Sequence, residues 1–261
     1  MAAESSSPHI SVAAEVISNI RIPGIGVIEV TNAMLSTLII TIFLCSFGII
    51  AGNMIRSKKI SKFQNFLEGL MLFIRESTST NLASEAKGRK YLGLTLSLFL
   101  FIVVGSWFGL IPGVLALEYN GTHLFRAPTT DLNACIALAV IAFTTVQVAG
   151  FQALGFFGYL GKFFTFKSGP LGFAIGILEF VLEWSRLLSY SFRLFGNIFA
   201  GEVLIIVLSF LTKEYFIPIP ALVVMMEVAV ALIQGYVLIS LMTVFIKVAT
   251  DSHDSHSESH A

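Results

Sequence analysis

Charge is what this chain has least of. Of 261 residues, 12% are Asp, Glu, Lys or Arg, where a soluble globular domain carries roughly 25%. The few charges balance, with 16 basic and 16 acidic residues, so no basic excess exists to attract nucleic acid. There are only two cysteines, Cys45 and Cys135, both in apolar stretches. They read as small buried hydrophobes and exclude a disulfide scaffold. No P-loop or dinucleotide fingerprint occurs. No histidine falls inside an apolar run, which speaks against axial haem ligation. The first 30 residues lack a basic stretch followed by an apolar one, so no cleaved signal peptide is expected. What is abundant is hydrophobic side chain, 56% of the chain. Several runs reach the roughly 20 residues that a helix needs to cross a bilayer. Only helices satisfy their own backbone within such runs, so the expected fold is an all-α polytopic membrane protein.

Residues 1–31 hold Pro8, Pro23, Gly24 and Gly26 and read as an N-terminal extension with one helical turn around Val12–Ile20. A membrane domain is expected over 32–250, and a polar, disordered tail over 251–261. The first span is read over 32–55 and is followed by Arg56, Lys58, Lys59 and Lys62. Segment 63–86 is amphipathic, with Phe63, Phe66, Leu67, Leu70, Phe73 and Ile74 at helical spacing, and suits the membrane surface. The second span is read over 91–117 and the third over 131–160. The fourth apolar region, 171–211, is too long for one perpendicular crossing: about 40 residues reach roughly 60 Å, twice the hydrocarbon thickness. It is expected to be tilted or broken. A turn over 213–220 leads to a final antiparallel helix over 221–248, giving about five crossings.

Lys and Arg crowd stretch 56–90, whereas loop 118–130 has only Arg126 and loop 212–220 only Lys213. The positive-inside rule then puts the N-terminus outside and the C-terminus inside. Asn120-Gly-Thr122 matches a glycosylation sequon, a pattern common by chance. His253, His256 and His260 in the tail read as solvated rather than as a metal site.

Charged side chains within membrane segments mark function by default. Segment 171–211 carries Glu179, Glu183, Arg186, Arg193 and Glu202. At 100° per residue, Glu179, Glu183, Arg186, Ser189, Arg193 and Asn197 share a sector about 120° wide, and Glu202 lies half a turn around from Arg193. The last helix carries Glu227 and Gln234, seven residues apart on one face. With straight antiparallel helices, Glu202 and Glu227 fall at similar depth, and Arg193 and Gln234 lie deeper. Plainer readings stand beside this one. Glu183 and Arg186 suit a structural i,i+3 pair, Arg193 suits snorkelling to a headgroup, and Glu202 and Glu227 suit anchoring at the interface.

Ser191-Phe-Arg-Leu-Phe-Gly-Asn-Ile-Phe-Ala-Gly-Glu202 resembles the signature of F-type ATP synthase subunit a, typically S-x-R-L-F-G-N-x-x-A-G-E. Ile10-Ser-x-Ala-Ala-Glu15 with Thr31-Asn32 is similar to the N-terminal region of bacterial members. Pro128-Thr-x-Asp131-Leu-Asn133 resembles the start of the family's third span, and Ile233-Gln234 its last helix. The resemblance implies a non-catalytic, ion-translocating stator subunit in a bacterial inner membrane. Its implied partners are the c-ring, against which the long helix and the last helix pack, the peripheral-stalk b subunits and lipid. It implies protons in preference to Na⁺, no cofactor and no metal. It assigns Arg193 to the essential arginine facing the ring carboxylates. Glu202, Asn197, Glu227 and Gln234 fall at positions of the outer half-channel and the arginine's surroundings. Asp131 and Asn133 match polar positions of the third span, while Glu179 and Ser189 stand toward the inner half-channel. One departure is that many members pair a glutamate and a histidine where this chain has Glu202 and Glu227. Two nearby carboxylates resist double ionisation, so the pair is expected to hold one shared proton.

Two other classes compete. A secondary transporter also places charges near the midplane, but such folds show inverted repeats, and none is evident. A passive scaffold does not account for arginine and glutamate inside spans.

Overall fold

The computed structural model describes residues 16–22, 26–56, 62–111, 114, 117–119, 122–163, 169–212 and 218–251. The tail, the core of the 213–220 turn, residues 57–61 of the first basic patch and Asn120-Gly121 of the sequon lie outside them. Six helices carry the fold: α1 Asn32–Arg56, α2 Lys62–Leu82, α3 Glu85–Leu110, α4 Leu132–Phe163, α5 Gly169–Thr212 and α6 Pro218–Asp251. All but α2 contain a stretch long and apolar enough to cross a membrane: Asn32–Ile55, Glu85–Leu110, Leu132–Gly155, Gly176–Leu211 and Ala221–Thr250. The protein is therefore an all-α polytopic membrane protein with five spans. Its exposed side chains fit a lipid solvent, as with Leu38, Ile42, Phe43, Ile49 and Ile50 along α1 and Leu178, Val181, Leu182 and Leu188 along α5.

Three expectations need correction. The N-terminal extension is not helical over Val16–Ile20. Strand β1 (Val16–Ile22) pairs antiparallel with β2 (Gly26–Thr31), with Ile22 opposite Gly26 and an irregularity between Val16 and Ser18. β-Branched residues on both sides of Pro23-Gly24 favour a hairpin over a helical turn. A second, two-residue ribbon joins β3 (Glu118–Tyr119) to β4 (Thr122–His123). The second span begins at Glu85 and ends at Leu110, because Pro112 disfavours helix in the residue before it. Its start takes in Lys87, Arg89 and Lys90, whose long stems can reach the interface. Cys45 is exposed, and only Cys135 is buried.

Helix α4 does not run straight to the end of its apolar stretch. Gly155 has φ 72° and ψ 164°, a conformation essentially confined to glycine, and the crossing stops there. Helix α5 keeps helical character over 44 residues. Its apolar part of 36 residues spans about 54 Å, so it crosses about 30 Å of hydrocarbon only when steeply inclined.

The chain divides into two compact units, each drawing one segment from every long helix after α2. One comprises Met1–Asn53, Leu100–Cys135 and Arg193–Gly235. Its core includes Ala33, Ile40, Ile102, Val103, Leu194, Ile198 and Ala231. Polar links run through it. Ser36 Oγ accepts the Arg126 N–H at 3.2 Å and donates to the Asn32 carbonyl at 3.1 Å. Ser106 and Thr129 hydroxyls meet at 3.2 Å, and Trp107 Nε1 donates to the Val228 carbonyl at 3.3 Å. Gly109 lets the chain pass close to Ala127, whose methyl lies 2.6 Å from where a Cβ would stand.

The other unit comprises Met54–Phe99, Ile136–Phe192 and Tyr236–Ala261. Its core includes Leu67, Ile74, Leu82, Leu98, Ala142, Ile239, Met242 and Ile246. The helix α2 expected from the 63–86 periodicity buries Gln64, Leu67, Ile74, Thr78 and Leu82 and turns Phe63, Phe66, Leu72 and Phe73 outward. Asn81 Nδ2 donates to Thr243 Oγ1 at 3.0 Å, Lys87 Nζ to Thr250 Oγ1 at 3.2 Å, and Lys90 Nζ to Gln152 Oε1 at 2.8 Å.

Candidate ion-path residues

Three of the residues singled out from the sequence meet in the first unit. A cavity of about 260 Å³ lies between α5 and α6, and Asn197, Glu227 and Gln234 are among the residues lining it, together with Gly201. Glu227 is 4% exposed and Gln234 8%. The Glu227 carboxylate rests directly on Gly201, in the space a Cβ there would take. This contact fixes the register of the two helices: Glu227 stands level with the residue preceding Glu202, as antiparallel straight helices require. Gln234 lies two turns further along α6, across from Asn197, which is one turn from Arg193.

Arg193 itself is exposed on α5, as are Ser189, Gly196, Asn197 and Ala200. They form part of one stripe along the helix, with Leu182 before them and Leu204 and Val207 after. The small side chains at 189, 196 and 200 leave it low enough for a second helix to approach closely.

Glu202 points away from that stripe, half a turn around α5. Its Oε2 lies 4.0 Å from Arg126 Nη2. Arg126 is 7% exposed, and its Nε donates to Thr130 Oγ1 at 3.1 Å. The sequence reading used Arg126 only as a charge that orients the chain. Its partner is 76 positions away, and nothing local marks it. The weak signal available was that it adjoins Pro128-Thr-x-Asp131, a motif already singled out.

Asp131 and Asn133 begin α4. Asp131 Oδ1 accepts the Asn133 N–H at 3.1 Å, and the Asp131 carbonyl accepts the Cys135 N–H at 3.1 Å. Asp131 thus serves as the N-terminal cap of the helix. It is half-buried, and Asn133 is exposed.

The remaining residues stand in the second unit, which has a polar cluster of its own. Glu183 is 6% exposed and accepts a hydrogen bond from Gln147 Nε2 at 2.8 Å. The Arg186 guanidinium lies over the Phe245 ring at 4.0 Å, a cation–π arrangement. Beyond any i,i+3 pair, each of these two residues thus has a partner on another helix. Glu179 is half-buried and Ser189 exposed. Gln147, like Arg126, was not singled out from sequence, because glutamine within an apolar run carries no charge to draw attention.

Ionisable and amide side chains buried inside two of five spans, with none of the described residues grouped to hold a metal, define a polytopic membrane protein built around polar intramembrane sites. Comparison with known proteins makes this specific. The family model for the ATP synthase A chain matches residues 34–247, and the chain belongs to that family. It is similar to ATP synthase subunit a of Gloeobacter violaceus, 30% identical over 86% of each chain. It is also similar to ATP synthase subunit a of Campylobacter jejuni, 32% identical over 73% of this chain and 76% of the relative. It is accordingly a proton-translocating membrane subunit of the Fo sector, a part of the complex that is not itself catalytic.

Proposed function

We propose that this chain forms two offset half-channels beside a ring of c subunits and that Arg193 separates them. A proton enters from outside past Glu202 and Glu227, passes the Asn197–Gln234 cavity and neutralises a ring carboxylate. The neutral carboxyl then turns through lipid, where a charged one would be costly. After almost a full rotation it meets the inner half-channel, in which Glu179, Ser189 and the Gln147–Glu183 pair offer polar side chains, and it releases the proton there. Asp131 and Asn133 belong to the polar surroundings of the outer path. The guanidinium of Arg193 stabilises the ionised carboxylate as it passes and repels cations that would leak between the half-channels. Arginine suits this role because it stays protonated in a poor dielectric.

The observation that carries this reading is the position of Arg193: a charged side chain exposed within the apolar span Gly176–Leu211, on a stripe lined by Gly196 and Ala200. A charged side chain within a span marks a functional site by default. A ring of carboxylates across that stripe would meet it. The same stripe is where the ring would pack, while the peripheral-stalk b subunits and lipid would cover other exposed faces. The charge asymmetry of the loops supports an outer N-terminal ribbon and an inner C-terminal tail, in a bacterial inner membrane.

The test is ATP-driven proton pumping by membrane vesicles holding the whole complex. Arg193→Ala is expected to abolish pumping while the detached catalytic head keeps its ATPase activity, and Arg193→Lys is expected to fail as well. Normal pumping by Arg193→Ala would make the residue structural and remove the basis of this reading.

A further inference from the structure

We propose that Arg126 is the fixed counter-charge of Glu202, a second arginine of the outer path that holds this carboxylate in place. The proposal rests on the reading of Glu202 as a member of that path. Arg126 comes from the segment before α4, outside any span, yet its side chain is 8% exposed and its guanidinium faces the Glu202 carboxylate at 4.0 Å. Everything around it fixes its aim. The Ser36 hydroxyl on α1 holds its backbone N–H. Thr130 accepts from its Nε, and the Thr130 hydroxyl is itself anchored on the Ala127 carbonyl at 2.9 Å. On the other side, Glu202 Oε2 is buried and has no hydrogen-bond partner, and the Arg126 guanidinium, with the Thr130 hydroxyl beside it, is what faces this carboxylate. A buried carboxylate without such a partner would be strongly disfavoured in its charged form.

The arrangement also divides the labour between the two glutamates. Glu202 has a cation beside it. Glu227, packed on Gly201, has the cavity toward Gln234 in front of it. Glu202 is the fixed, charge-compensated acid of the entry, and Glu227 the acid that exchanges protons with the cavity. The sequence-based expectation of one proton shared between two equivalent carboxylates took no account of Arg126.

A double-mutant cycle in the complete complex tests this, with two readouts: the amount of assembled complex in the membrane, and passive proton conductance per complex after the catalytic head is stripped off. Arg126→Gln leaves Glu202 uncompensated and is expected to lower assembly about fivefold or more, as removal of one partner of a buried pair does. Its conductance per complex is expected to fall as well. Glu202→Gln removes the carboxylate opposite the guanidinium in turn. In the double variant Arg126→Gln/Glu202→Gln neither charge is stranded, and assembly is expected to equal or exceed that of Glu202→Gln alone, with conductance still lost. If the double variant instead assembles less than Glu202→Gln by the same factor that separates Arg126→Gln from wild type, the two residues act independently and the proposal fails. Unchanged assembly and conductance in Arg126→Gln would overturn it too. None of these outcomes depends on Arg193, so normal pumping by Arg193→Ala would defeat the half-channel reading while leaving the measured coupling intact.

Discussion

A single missing methyl group decides how closely α5 and α6 approach at the cavity. Gly201 has no side chain, and the Glu227 carboxylate occupies the space. Gly201→Ala is therefore expected to displace Glu227 or part the helices, at a cost of about 1–3 kcal/mol typical of overpacking. The check is proton conductance per assembled complex, expected to fall sharply, together with a lower melting temperature of the complex. Gly48→Ala on α1 is the control, since a Cβ there meets nothing within 4 Å inside the chain; wild-type behaviour of Gly201→Ala would show that the carboxylate has room elsewhere. In the second unit, Gln147→Leu removes the amide that donates to buried Glu183. Loss of a donor to a buried carboxylate is expected to destabilise by about 1–3 kcal/mol, and Gln147→Asn, which keeps an amide at shorter reach, is expected to recover part of it. At this scale the sequence drew attention to charged and amide side chains in apolar runs: Glu227 and Gln234 line the cavity, and Glu202 lies opposite Arg126. It was silent where meaning depends on a distant partner, as for Arg126 and Gln147.

Elements were legible in proportion to their periodicity. The five spans and the amphipathic α2 follow from runs of apolar residues and from helical spacing, and their ends differ by several residues where a proline or an interfacial lysine sets the boundary. The N-terminal ribbon was missed because Val16–Ile22 is short and its apolar residues follow neither a clean period of two nor one of 3.6. The turn residues Pro23-Gly24 were the better guide. The break in α4 was equally hidden: Gly150 and Gly155 look alike in sequence, and only Gly155 has positive φ. Gly155→Ala forces an alanine into a glycine-only conformation and is expected to cost about 1–3 kcal/mol or to straighten the helix. Thermal unfolding of the purified complex, compared with Gly150→Ala, distinguishes that strain from a general effect of added methyl groups.

Over the whole molecule, the sequence conveyed the membrane class and the number of crossings before any packing was known. The insertion direction proposed from the loop charges leads to a plain expectation. A protease tag at the C-terminus is cut in inside-out vesicles and protected in intact cells, and a tag before Val16 behaves in the opposite sense. The reverse pattern would invert both proposed half-channels. What the sequence did not convey is that each compact unit is assembled from three separated stretches. Arg126 and Glu202 illustrate what that means on the ribosome. At about 5–20 residues per second, the 76 residues between them take about 4–15 s to make. Throughout that interval the arginine exists and the carboxylate proposed as its counter-charge does not. Burying a charge before its counter-charge arrives is costly, so on that proposal the segment before α4 stays in the aqueous headgroup region until α5 is inserted. The Arg126–Glu202 site would thus be among the last parts of the nascent chain to settle, and the membrane insertion machinery would have to tolerate an unfinished protein with its third span already started and Arg126 still in water.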